Sequence, residues 1–237
     1  MCKFPFADSS GELFCIFASM EAQKVNFSFK ARYFKLGDIT PQTKNIWFVC
    51  HGYGQLVNYF LKNFNILDNG DNCIIAPEGL SRFYLNGFTG RVGATWMTKE
   101  ERANDIENQI NYLNTIYKRE VDTNIHHAKI TLFGFSQGVA TISRWAMQKH
   151  LKFNRLVLWA GNIPPDINFA VGKKKLEHVA TFFVYGNNDP YIDDRQLEKQ
   201  QQSIKKLAIT PTIKTFDGGH EIDAQTLVEI NQYYSSL

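Results

Sequence analysis

The sequence predicts an α/β fold around a mostly parallel sheet, and three observations carry that prediction. Short apolar runs recur at 46–50, 73–76, 130–134, 156–160, 181–185 and 212–216, apolar at successive positions as strands covered on both faces must be. Segments with helical spacing of apolar residues lie between most of them. Every notable polar motif falls directly after one of the runs, where an open α/β sheet gathers its working loops.

Taken in order, the N-terminal runs 13–20 and 25–34 alternate and carry aromatics, which predicts two adjacent antiparallel strands. Run 46–50 leads into His51-Gly52-Tyr53-Gly54, and helical spacing follows over 56–64. Run 73–76 leads into Pro77-Glu78-Gly79. A long helix is predicted over 99–117, with Glu100 and Glu101 after Thr98 as its acidic start. Its Ile106, Ile110, Leu113 and Tyr117 share the face that should pack on the sheet. Run 130–134 passes through Phe135-Ser136-Gln137-Gly138 into a helix over 138–150. The last three runs end in Ala160-Gly161-Asn162, in Gly186-Asn187-Asn188-Asp189-Pro190 and in Asp217-Gly218-Gly219-His220. Helices are predicted after the latter two, over 192–207 and 221–234. Alternating strands and helices imply right-handed crossovers, so the six loops meet on one rim. No repeat, low-complexity tract or linker interrupts the chain, which reads as one domain over 1–237.

Composition narrows the function. A net charge of +3 is a mild excess, not a field for binding polyanions, and Lys173-Lys174-Lys175 reads as a solvated loop or helix face. Nucleic acid is therefore not an expected partner. No apolar stretch approaches the roughly 18 residues of a membrane span, and the N-terminus has no signal-peptide core. The four cysteines, Cys2, Cys15, Cys50 and Cys73, lack metal-ligand spacing and read as small hydrophobes in a reducing compartment. The expected setting is the cytoplasm, with no metal and no organic cofactor.

Gly134-Phe135-Ser136-Gln137-Gly138 fits the pattern G-x-S-x-G between a strand and a helix. The outer glycines allow backbone to crowd the turn, and the turn holds the serine in a strained conformation with its hydroxyl outward. A serine hydroxyl is a weak nucleophile and requires a histidine base oriented by a carboxylate. Three histidines follow Ser136. His150 is expected to cap the helix after the turn, and His178 lies in a charged, exposed segment. His220 follows a strand in a glycine loop and is the expected base. Asp189, in a loop stiffened by Pro190, is the expected acid. Asp193 and Asp194 read as helix N-caps, and Asp217 as facing away from the ring. The oxyanion is expected on the backbone N–H of Gln137 and of Tyr53. His51 reads as a group that fixes the Tyr53 loop by hydrogen bonding.

Four segments, at 51–54, 134–138, 186–192 and 218–222, give the chain a resemblance to the phospholipase/carboxylesterase branch of the α/β hydrolases. Ala160–Asp166 and Trp96 add to it. The likeness runs from about Ile46 to the C-terminus. It implies the triad Ser136, Asp189 and His220, the oxyanion donors Tyr53 and Gln137, and a small-molecule ester substrate. Long-chain thioesters or lysophospholipids, or a ligand-binding relative with little turnover, are the alternatives. Oligomeric state stays open between monomer and homodimer. Segment 78–97 departs from the thioesterase pattern. It reads either as a pocket wall using Phe88, Trp96 and Met97, with Arg82 or Arg91 near a substrate carboxylate, or as a loop packing its own aromatics.

Overall fold

The computed structural model describes residues 5–7, 13–15, 21–121 and 127–233. Where the sequence reads as one domain, the chain divides into two compact units, residues 1–30 and 31–237. In the first, β1 (Pro5–Ala7) pairs antiparallel with β2 (Leu13–Cys15). Residues 21–32 contain no strand, so the pairing predicted between 13–20 and 25–34 does not form; residues 16–20 lie outside the described residues. Phe27 and Phe29 meet edge to face at 6.5 Å. Alternation defines a face but supplies no partner strand, and that is where the expectation fails.

The second unit runs in order through β3 (Tyr33–Leu36), β4 (Asn45–Cys50), α1 (Val57–Phe60) with its 3-10 extension Leu61–Leu67, and β5 (Asn72–Pro77). A hairpin, β6 (Ser81–Tyr84) and β7 (Val92–Thr95), precedes α2 (Arg102–Glu120). Then follow β8 (Lys129–Phe135), α3 (Gln137–Ala146), β9 (Arg155–Trp159), α4 (Phe169–Leu176), β10 (Ala180–Gly186), α5 (Asp194–Leu207), β11 (Thr212–Phe216) and α6 (Ala224–Gln232). Seven strands form one sheet in the order β11-β10-β9-β8-β4-β5-β3. All pairs are parallel except the edge pair β3–β5.

The pleat sends alternate residues to opposite faces, and both faces are covered. From β4, Ile46, Phe48 and Cys50 join a core with Leu113 and Ile116 of α2, Val139 and Trp145 of α3, Leu176 of α4 and Leu207 of α5. Trp47 and Val49 point the other way, to Phe60 and Phe64 near α1 and to Leu227 and Ile230 of α6. Helices on both faces explain why the strands read as unbroken apolar runs. Cys50 and Cys73 are buried free thiols, and burial pushes both pKa values up, that of Cys73 to about 11.

Local expectations are corrected at the long helix and at His150, while Lys173–Lys175 lie on a helix face as one of the two readings had them. Helix α2 starts at Arg102, preceded by Glu101 in a left-handed conformation that makes no side-chain cap. Its deepest apolar residues are Leu113 and Ile116, while Ile106 and Ile110 are half-buried. Lys173–Lys175 form the last turn of α4, where cations complement the helix dipole, and Asn168 caps its start by accepting from Val171 N–H. His150 lies beyond the end of α3 and hydrogen-bonds Asn114 at 3.2 Å rather than capping the helix.

Candidate active site

Ser136 sits between β8 and α3 with φ 53° and ψ −118°, the strained conformation the motif predicts. The flanking glycines are there for space. A Cβ on Gly138 would overlap the carbonyl oxygens of Cys50 and His51, and one on Gly134 would stand 2.5 Å from Gly138 O. Two strand ends and a helix start are thereby brought into backbone contact.

Two further strand ends bring Asp189 and His220 together. His220 Nδ1 lies 2.8 Å from Asp189 Oδ2. The other carboxylate oxygen, Oδ1, accepts from Tyr191 N–H at 2.9 Å. The Asp189 side chain is fully buried and that of His220 is 20% exposed, so the acid is shielded while the imidazole reaches solvent. Phe135, next to Ser136, packs on the His220 ring at 4.8 Å, and Tyr191 meets it edge-on at 4.7 Å. The rejected acids lie elsewhere. Asp193 caps α5 through Gln196 N–H, and Asp217 accepts from Asn188.

Gln137 opens α3, where the first N–H groups of a helix have no intrahelical acceptor. Tyr53 lies in the turn after β4. Among the described residues neither amide donates to a protein acceptor. Both loops are anchored to β7 or to the residues that directly follow it. Gly54 N–H donates to Ala94 O at 2.9 Å and Ala94 N–H donates to Gln55 O at 3.2 Å. On the other side, the Gln137 side chain donates to Met97 O and accepts from Trp96 N–H. Sequence reasoning used only the backbone of Gln137; nothing in the residue pattern announced this grip.

His51 is fully buried. Its Nδ1 donates to Gly52 O at 2.7 Å and its Nε2 accepts from Gly79 N–H at 2.9 Å, which fixes the neutral tautomer. Burial lowers its pKa to about 4. Trp96, expected in the pocket wall, is instead 1% exposed. It packs on His51 at 5.0 Å and donates Nε1–H to His51 O. A side chain this buried belongs to the scaffold of the loop. Phe88 is 92% exposed in the turn of the hairpin. Met97 is half-buried, with its sulfur 3.6 Å from an Arg144 nitrogen. Phe83 packs on the Tyr53 ring at 5.2 Å.

Glu78 is the residue whose importance the sequence understated. Its carboxylate, 1% exposed, accepts from Arg32 at 2.8 and 3.0 Å, from Arg82 at 2.7 Å and from Val57 N–H at 3.3 Å. Burial pushes its pKa up, but the hydrogen bonds from the two arginines outweigh that and hold it below the usual carboxylate range. Arg82 is therefore committed to Glu78. No group of acidic, histidine or cysteine side chains suited to a metal occurs among the described residues.

Residues 38–237 match the phospholipase/carboxylesterase family. Acyl-protein thioesterase 2 of Zea mays superposes with a TM-score of 0.64 over 87% of this chain and 99% of its own, at 15% identity. Esterase PE8 gives 0.65 over 88% and 99%, at 16% identity. The carboxylesterase of Bacillus cereus gives 0.61 over 87% and 94%, at 14% identity. No curated protein matches by sequence. No helix among the described residues is long and apolar enough to cross a membrane. The likeness to solved structures establishes the fold, and the family match establishes the lineage: the chain belongs to the phospholipase/carboxylesterase family of α/β hydrolases.

Proposed function

We propose that this chain is a serine hydrolase that cleaves carboxylic esters through an acyl-enzyme. The observation that carries the reading is the 2.8 Å hydrogen bond between His220 and Asp189, with the His220 ring packed on Phe135, the residue before a serine held at positive φ. With Nδ1–H given to Asp189, the His220 ring keeps Nε2 as its lone pair. That nitrogen takes the Ser136 proton as Oγ attacks the acyl carbon. The N–H groups of Tyr53 and Gln137 receive the oxyanion, with the dipole of α3 behind the second. His220 then protonates the leaving alcohol or thiol and next activates the water that frees the acid. Met97, half-buried beside Gln137, is the part of the expected pocket wall this reading retains. The buried free thiols of Cys50 and Cys73 fit a reducing, cytoplasmic setting.

A fluorophosphonate probe tests the nucleophile. Wild type should be labelled and Ser136→Ala should not; labelling that persists in the variant removes Ser136 from the mechanism. Short p-nitrophenyl esters and the matching thioesters, compared by kcat/KM, then rank the two acyl classes.

A further inference from the structure

A cavity of about 470 Å³ lies between α1 and the β6–β7 hairpin, bordered by Gly54 and Gln55. Leu56, Tyr59, Phe60 and Val92 supply apolar wall. Its border residues Gly54 and Gln55 follow directly on Gly52 and Tyr53. The point where a Cβ on Gly52 would stand is 3.2 Å from Ser136 Cβ and 3.2 Å from Gln55 Oε1. Gly52 therefore lies between the serine and the Gln55 side chain, and the Tyr53 amide is one residue from the cavity's border at Gly54.

The charges around this cavity are one-sided. Arg91 is its one charged lining residue, and no carboxylate lines it. The other arginine of the hairpin, Arg82, is bound to Glu78. Among the described residues Arg91 has no acidic partner within ion-pair distance. A second cation stands at the rim, where the Lys62 ammonium lies 5.4 Å from the centre of the Tyr59 ring. Arg91 is exposed, so it needs no protein partner, but it is the one charge among the lining residues that an anionic group entering the cavity would meet.

We infer that this cavity is a subsite for an anionic group carried by the ester substrate some atoms from its carbonyl, with Arg91 as the charge partner. The inference rests on the ester-hydrolase reading and names its substrate class: esters that bear a carboxylate or similar anion on an apolar arm. An arginine fork suits such a group because it offers parallel N–H donors to two oxygens.

Matched substrate pairs test it and separate the two arms an ester can extend. For the acyl arm the pair is p-nitrophenyl butyrate and mono-p-nitrophenyl glutarate. For the alcohol arm it is phenyl acetate and 4-acetoxybenzoate. In one pair the ratio of kcat/KM, anionic over neutral, should fall about tenfold in Arg91→Gln and further in Arg91→Glu. Added salt should shrink the wild-type ratio. Ratios that stay at the wild-type value in both pairs overturn the subsite. Calorimetric binding of monobenzyl glutarate and of benzyl butyrate, by Ser136→Ala and by Ser136→Ala/Arg91→Gln, reads the contact without turnover. Arg91-dependent binding by a protein that hydrolyses no ester would sink the catalytic reading and keep the subsite. Hydrolysis with no Arg91 dependence in rate or binding would do the reverse.

Discussion

Gln137 and Thr95 are joined side chain to side chain, with Gln137 Nε2 donating to Thr95 Oγ1 at 3.0 Å. The same carboxamide reaches Trp96 N–H at 3.1 Å and Met97 O at 3.0 Å. Because β7 also holds Gly54 and Gln55, one strand sets the spacing of both proposed oxyanion donors. Gln137→Glu keeps the shape but loses the donor and opposes a carboxylate to Met97 O. It should lower kcat on p-nitrophenyl esters about 100-fold while KM changes little. Thr95→Ser should stay near wild type and Thr95→Val should fall. A rise in KM at constant kcat would instead assign the pair to substrate binding.

Asp189→Asn preserves size but reverses one hydrogen-bonding edge, so it favours the wrong tautomer of His220. The expected loss in kcat is roughly 10³- to 10⁴-fold. The fold should survive, because Oδ1 can still accept from Tyr191 N–H. Steady-state kinetics with a urea melt of the same sample checks both halves.

His51 predicts a specific acid sensitivity. Its folded pKa of about 4 lies below the unfolded value of 6.5, so between those values the unfolded chain binds a proton that the folded chain refuses. Stability should therefore decline as pH falls from about 6.5 toward 4, and this contribution should level off below 4. Its full extent is on the order of 3 kcal/mol. Urea midpoints from pH 7 to 4 should show this slope in wild type and a flatter one in His51→Gln. Equal slopes would mean that His51 is not held neutral.

Trp96 and Phe88 should behave as opposites despite sharing one aromatic segment. Trp96→Phe removes the donor to His51 O inside the scaffold and should cost about 1–3 kcal/mol in a denaturant melt. Phe88→Ala, at an exposed turn, should stay within about 0.5 kcal/mol of wild type.

The sheet was legible because burial on both faces leaves an unbroken apolar run, and Trp47 beside Phe48 can only mean two covered sides. The site was legible to the extent that strand ends carry it, which is why Asp189 and His220 fall within bonding distance of each other. What escaped were features set by partners far away in sequence. Helix α4 hid behind Lys173–Lys175, although Asn168 was a readable cap. The hairpin carries no buried run of its own, and the Gln137 carboxamide finds its partners 40 to 42 residues upstream. The run at 25–34 failed in the opposite way, with a strand-like pattern and no strand beside most of it.

Glu78 has a consequence for anyone who would exchange parts of this protein. One buried carboxylate fastens the chain before β3, the start of α1 and the β6 strand, through Arg32, Val57 and Arg82. The hairpin is thus held by hydrogen bonds along β7 and, on its β6 side, by one ion pair. A loop transplanted from a relative to retune substrate choice has to bring a guanidinium to position 82. Without one, it loosens the entrance to the helix on the far side of the cavity it was meant to reshape.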